Sequence, residues 1–228
     1  HGHALTVSAA DAYALLRAAT PQVSAVPVFN WLAQVNDTSE TAVAGNAATT
    51  GSVTQSAVAF SLGGTFHYGR LKLNGAHGDM RVGVRMLIEL QKYTAAGWTR
   101  LAEDDHCVTT PATAYAYESP QGRFSGSGNL CVAPLSGAVA LRGGRGWLLL
   151  PKSPDNLPGR LTLRLNLSAT ASGTSCSAAG AALSATTMNL PYLQGAWAGS
   201  ASNADDPFAA ASWGQVNREF VLRRERLD

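Results

Sequence analysis

The stretch Leu161-Thr162-Leu163-Arg164-Leu165-Asn166-Leu167 sets a leucine at every odd position with polar residues between. Successive side chains of a strand point to opposite faces, so this period of two lines four leucines along one side of an extended chain. The same rule, carried outward, finds companions. Between Val82 and Gln91, the residues Val82, Val84, Met86, Ile88 and Leu90 share one face, and Arg85, Glu89 and Gln91 the other. Leu87 breaks that polar face and points to a second layer. Leu71 and Leu73 alternate with Arg70 and Lys72, and Asn74-Gly75 supplies a turn. Thr94-Ala95-Ala96-Gly97 leading into Trp98-Thr99-Arg100-Leu101 predicts a hairpin with its glycine in the left-handed region. Trp147 to Leu150, bounded by Gly143-Gly144 and Pro151, predicts a buried strand, and Glu219 to Arg224 a closing one.

The first third is less regular. Leu5 to Val7 and Val26 to Val35 read as strands, with Pro27 near an end or an edge. Ala9 to Ala19 has a helix-forming composition. Asn36 to Thr50 and Ser200 to Asp206 read as polar loops, and Ser168 to Thr187 as a long, low-complexity surface loop around Cys176. Many strands at short spacing with little helix predict an all-β protein, an antiparallel β-sandwich with long loops. Either one continuous sandwich runs through the chain, or two packed β modules divide it into a small module at 1–64 and a main sandwich at 65–228.

A chain of 228 residues is long enough for a real core. Its 17 basic and 15 acidic residues leave a formal charge of +2, too mild a balance to argue for nucleic acid or an anionic membrane. No window approaches the roughly 20 apolar residues of a membrane helix. No leader is visible, so the sequence reads as a mature chain or an excised piece of one. The three cysteines, Cys107, Cys131 and Cys176, lie in turn-rich stretches without CxxC spacing. That usage suits one structural disulfide in an oxidising compartment better than a zinc site. Cys107 to Cys131 closes the shortest loop and is the first pairing to expect, with Cys131 to Cys176 the alternative.

Candidate chemistry is sparse. His1-Gly2-His3 opens the chain, and a truly N-terminal histidine can hold copper through its amine and ring. His67 or His77 is an imaginable partner, in the manner of copper-dependent lytic polysaccharide monooxygenases, which also have β-sandwich folds. An affinity-tag remnant explains the same two histidines without metal, and no cofactor is expected. Glu103, Asp104, Asp105 and His106 lack the glycine and alternating ligands of a calcium loop and read as a solvated loop. Asn203, Asp205 and Asp206 read the same way. No G-x-S-x-G, P-loop or dinucleotide fingerprint occurs. Asn36-Asp37-Thr38 and Asn166-Leu167-Ser168 match the glycosylation sequon. Tyr192, Trp197 and Trp213 are candidates for stacking on a sugar ring, against the plainer expectation that large aromatics pack in the core.

Longer motifs add a family likeness. Phe66 to Cys107, FHYGRLKLNGAHGDMRVGVRMLIELQKYTAAGWTRLAEDDHC, resembles the C-terminal domain of the MSHA-type pilus biogenesis protein Q family. So do Asn36 to Asn46, the Leu130-Cys131 to Leu150 region, Gly173-Thr174-Ser175-Cys176, Asn189-Leu190-Pro191-Tyr192-Leu193-Gln194-Gly195 with Trp197, and Asp206 to Glu225. Ser212-Trp213-Gly214-Gln215 and the terminal Arg226-Leu227-Asp228 depart from the family pattern. The resemblance implies strand rather than helix at Ala9 to Ala19, and histidine at 77 without a metal role. It implies an extracellular, Gram-negative cell-surface setting, linked to pilus (fimbrium) biogenesis and cell adhesion, with other pilus or surface proteins, and surface or host glycans, as partners. It carries over no catalytic residues. The leading expectation is therefore a non-enzymatic β module, with a carbohydrate-binding module and a copper oxygenase as alternatives.

Overall fold

The computed structural model describes residues 18–23, 28–33, 53–59, 67–103, 105–126, 128–199 and 201–214, with side chains left undescribed in 28–33, 53–59 and 105–107. The chain divides into two compact units, one spanning Val23–Tyr68 and the other built from Gly69 onward with the first residues of the chain. In the smaller unit, β1 (Val28–Ala33) pairs antiparallel with β2 (Val53–Ala59), with a register shift between Phe29 and Trp31. The strand expected at Leu5 to Val7, the Ala9 to Ala19 segment up to residue 17, the Asn36 to Thr50 loop and the closing strand at Glu219 to Arg224 lie outside the described residues.

The larger unit is an all-β sandwich. Its larger sheet runs in the order β3 (Gly69–Leu73), β5 (Val84–Thr94), β10 (Arg145–Leu150), β9 (Ala138–Arg142) and β7 (Asp105–Pro111), with β6 (Gly97–Arg100) paired to the far end of β5. The smaller sheet runs β4 (Ala76–Asp79), β14 (Phe208–Gly214), β11 (Gly159–Leu165) and β8 (Tyr115–Gly122). A ribbon of β12 (Thr174–Cys176) and β13 (Ala182–Ser184) completes the described strands. Among the described strands every pairing is antiparallel except β14 with β4. Asn74-Gly75 is where this exception arises. Instead of turning back into its own sheet, the chain leaves β3, is held by Asn74 N donating to Leu87 O (2.9 Å), and enters the opposite sheet as β4.

The alternation read from the sequence sets the core. Leu161, Leu163, Leu165 and Leu167 are wholly buried. They join one apolar cluster with Leu71, Leu73, Val84, Met86, Ile88 and Leu90 from the facing sheet. Each such side chain removed from water stabilises the fold by about 1.5–3 kcal/mol. Val82 is the exception to its series: it lies before the strand and is 55% exposed. The Thr94–Gly97 hairpin forms as expected, with Gly97 at φ +97° and Thr94 Oγ1 donating to Gly97 O at 2.9 Å.

Two polar devices run through the core. Tyr115 donates its hydroxyl to Thr110 Oγ1 (2.7 Å), and Tyr117 Oη accepts from Leu135 N (2.8 Å). Burial disfavours both phenolates and pushes Tyr117 up to about 12, and Tyr115 further. Asn166 has no exposed surface and braces the following loop, donating to Ser172 O (3.0 Å) and Thr186 O (3.3 Å). The sequon asparagine is therefore buried in the folded domain.

Cys131 is bonded to Cys176, so the pairing that closes the shortest loop is not the one that forms. Bonding requires neighbouring backbones rather than a short sequence gap. The β12 ribbon brings Cys176 to a Cα separation of 5.3 Å from Cys131, while Cys107 sits on β7 at the edge of the larger sheet. Closing the intervening loop contributes roughly 4 kcal/mol in a chain-entropy picture.

Candidate functional site: the outer face of the larger sheet

Strand alternation that sends one set of residues inward sends the other set to the solvent side of the larger sheet. In β5 these are Arg85, Leu87, Glu89, Gln91 and Tyr93. Cross-strand register arranges them in rows, since directly opposite residues share a face. Arg70, Gln91 and Arg100 form one row, and Lys72, Glu89, Arg145 and Arg142 the next. Leu87 stands opposite Trp147, and Arg85 opposite Leu149.

β10 corrects the expectation of a buried strand. Only Gly146, Leu148 and Leu150 face the core; Trp147 is 52% and Leu149 61% exposed. Leu87 lies half-buried beside Trp147 on the outer face. The Arg85 guanidinium sits 4.9 Å from the centre of the Trp147 ring, which gives the indole a cationic neighbour.

The far end of the face repeats the device. The Arg70 guanidinium lies 3.9 Å from the Trp98 ring centre and 4.4 Å from that of Trp197, and its Nε donates to Gln91 Oε1 at 2.9 Å. Tyr93 meets Trp98 edge-on with ring centres 5.3 Å apart. Burial lowers the Arg70 pKa to about 10, so it stays a cation at neutral pH. Trp197 reaches Arg70 because its loop is tied down. Leu193 packs against Gly69, Gly195 bridges Asp205, Ala198 N donates to Asp205 Oδ2 (2.8 Å), and Gln194 Nε2 to Asp206 Oδ1 (2.8 Å).

The residues singled out in the sequence have separate fates. Trp197 joins the site, and Tyr192 is exposed on the neighbouring turn, Pro191–Leu193. Trp213 does not: it is 2% exposed, packs 4.7 Å from Phe124 and donates Nε1 to Pro151 O (3.1 Å). Its strand alternation turns it inward beside Ala211, so it is a core residue and not a stacking platform. His77 lies exposed on β4 with its Nδ1 3.0 Å from Ser212 Oγ; His1 and His3 lie outside the described residues. Among the described residues no three His, Cys, Asp or Glu side chains gather as metal ligands. Glu103 pairs with Lys92 (2.7 Å), and Asp205 and Asp206 serve as loop clamps. Sequence reading missed Trp147 and Trp98. In Arg145-Gly146-Trp147-Leu148-Leu149-Leu150 the apolar Leu149 hides the alternation, although Gly146 and Arg145 mark its two sides.

The family model for DUF6701, fourth domain, matches residues 67–226. The chain belongs to the DUF6701 fourth-domain family. The matched span contains every strand of the DUF6701 sandwich from β3 to β14, its disulfide and the whole of the outer face. Neither curated proteins nor solved structures return a match. No described helix of the DUF6701 domain is long and apolar enough to cross a membrane.

Proposed function

We propose that the chain is a non-enzymatic binding module of a Gram-negative envelope protein, acting in adhesion or pilus assembly. In this reading it is the C-terminal portion of a surface protein of the MSHA-type pilus biogenesis protein Q kind. The observation that carries the reading is the outer face of the larger sheet. Trp147 and Leu149 stand more than half exposed at its centre, with arginines around them. Soluble domains rarely spend large apolar side chains on solvent in this way, and tryptophan and arginine dominate binding hot spots. Two further features support it. The Cys131–Cys176 disulfide suits an oxidising compartment, and the motif resemblance extends in order along most of the chain.

The test is made in a bacterium that carries the full-length gene. Antibodies against the domain are expected to label intact cells, and excision of residues 67–226 is expected to lower attachment or piliation. Intact cells that stay unlabelled, or attachment and piliation that survive the excision, would reject the reading.

A further inference from the structure

We infer that the outer face of the larger sheet binds an acidic polysaccharide, with arginines engaging its carboxylate or sulfate groups and indoles carrying its sugar rings. The inference rests on the surface-module reading and names the partner of that module.

Charge on this face is sorted. Arg70, Lys72, Arg85, Arg100, Arg142 and Arg145 share it by register and alternation. Against them the described acid is Glu89, taken by Arg145 Nε (3.1 Å) and approached by Asn74 Nδ2 (3.4 Å). Asp105 takes the register position opposite Arg142 at the rim. The chain as a whole holds 17 basic and 15 acidic residues, so this imbalance belongs to the face and not to the composition. Arg142 and Arg145 stand directly opposite each other, so two cations share this row with Glu89, which is bonded to Arg145. Arg70 has no carboxylate partner among the described residues. The Trp98 and Trp197 rings lie 3.9 and 4.4 Å from its guanidinium carbon, and its Nε is held by Gln91 Oε1, which orients the group on this face. A guanidinium edge matches the paired oxygens of carboxylate or sulfate.

The arrangement also speaks for a polymer. The arginine–indole device occurs twice, as Arg70 with Trp98 and Trp197 and as Arg85 with Trp147, on one continuous sheet surface crossed by cationic rows. A repeated recognition unit fits a ligand that repeats a ring and a negative charge. An acidic protein surface matches the charges, but not the repeated indole.

The experiment titrates the whole 228-residue chain with four probes: polygalacturonate, heparin, neutral dextran and polyglutamate. Binding to polygalacturonate or heparin is expected, which also separates carboxylate from sulfate recognition. Dextran is expected not to bind, and polyglutamate to bind at least about tenfold more weakly. Trp147→Ala and Arg85→Ala, both at exposed positions, are expected to lower affinity by about fivefold to tenfold each. Arg160→Ala removes the same charge from an exposed position on β11 in the other sheet and is expected to leave affinity within about twofold. Each variant is first shown to keep the parent melting temperature. No binding to either acidic polysaccharide, equal binding of polyglutamate, or an Arg160→Ala loss matching that of Arg85→Ala would overturn the inference. If the polysaccharides fail while excision of residues 67–226 still lowers cell attachment, the polysaccharide assignment falls and the surface-module reading stands.

Discussion

Gly144 sits at φ +69°, and a Cβ there would collide with the carbonyl of Leu101, which is backbone and has nowhere to move. Gly97 has φ +97° but open space around it. The two glycines separate strain from collision. Gly97→Ala is expected to cost about 1 kcal/mol, the price of a left-handed alanine, and Gly144→Ala clearly more, both read from urea melts. Equal losses would show that the β6–β10 junction is looser than described. The tryptophans teach a related lesson about legibility. Trp213 and Trp147 are chemically the same, and neighbouring alanines in one case and leucines in the other conceal which side each faces. Alternation is readable where polar residues mark it repeatedly, as in Leu161 to Leu167, and hard to read in Ala209-Ala210-Ala211-Ser212-Trp213, where Ser212 is the single polar mark, and in Trp147-Leu148-Leu149-Leu150, where both faces are apolar.

At the level of strands, β11 and β8 hold the smaller sheet together. Leu163 is wholly buried at the middle of β11, where its removal opens a cavity between facing layers. Leu163→Ala is expected to lower stability by about 2–5 kcal/mol. The neighbouring β8 contributes a pH dependence. Tyr117 titrates near 10 when unfolded and near 12 in the fold. The folded state therefore holds the proton more tightly. The stability this confers is complete below pH 10, declines as pH rises through that window, and is gone above about 12. Denaturant melts are expected to weaken by roughly 2–3 kcal/mol across it on account of Tyr117 alone. Tyr117→Phe is expected to be less stable at neutral pH, because Leu135 N loses its acceptor, and to show a shallower alkaline decline. A variant with the parent's slope would deny Tyr117 this role. Strand existence was legible from periodicity in β3, β5 and β11, and from the Thr94–Gly97 turn in β6. The sheet switch at Asn74 was not, because an Asn-Gly pair reads equally as a hairpin and the deciding bond to Leu87 is long-range.

Over the whole molecule, the sandwich class follows from the strands, but the pairing that closes it does not follow from spacing. Cys131 and Cys176 are 45 residues apart in sequence and meet only because the β12 ribbon lies against the sandwich. Peptide mapping without reductant is expected to recover Cys131 joined to Cys176, and reduction to cost roughly 4 kcal/mol. A recovered Cys107–Cys131 peptide would contradict the fold. The candidate site was half legible: Trp197 was named and the Arg70–Lys72 side of β3 was read as polar, but only register reveals that these join Trp98, Arg85 and Trp147 on one surface. The proposed adhesion requires that surface to work at the cell exterior. The most direct measurement is attachment of cells carrying the full-length protein with Trp147→Ala and Arg85→Ala together, the domain's melting temperature being unchanged. Attachment is expected to fall toward the level of cells lacking residues 67–226. Attachment equal to that of the parent cells would contradict the account.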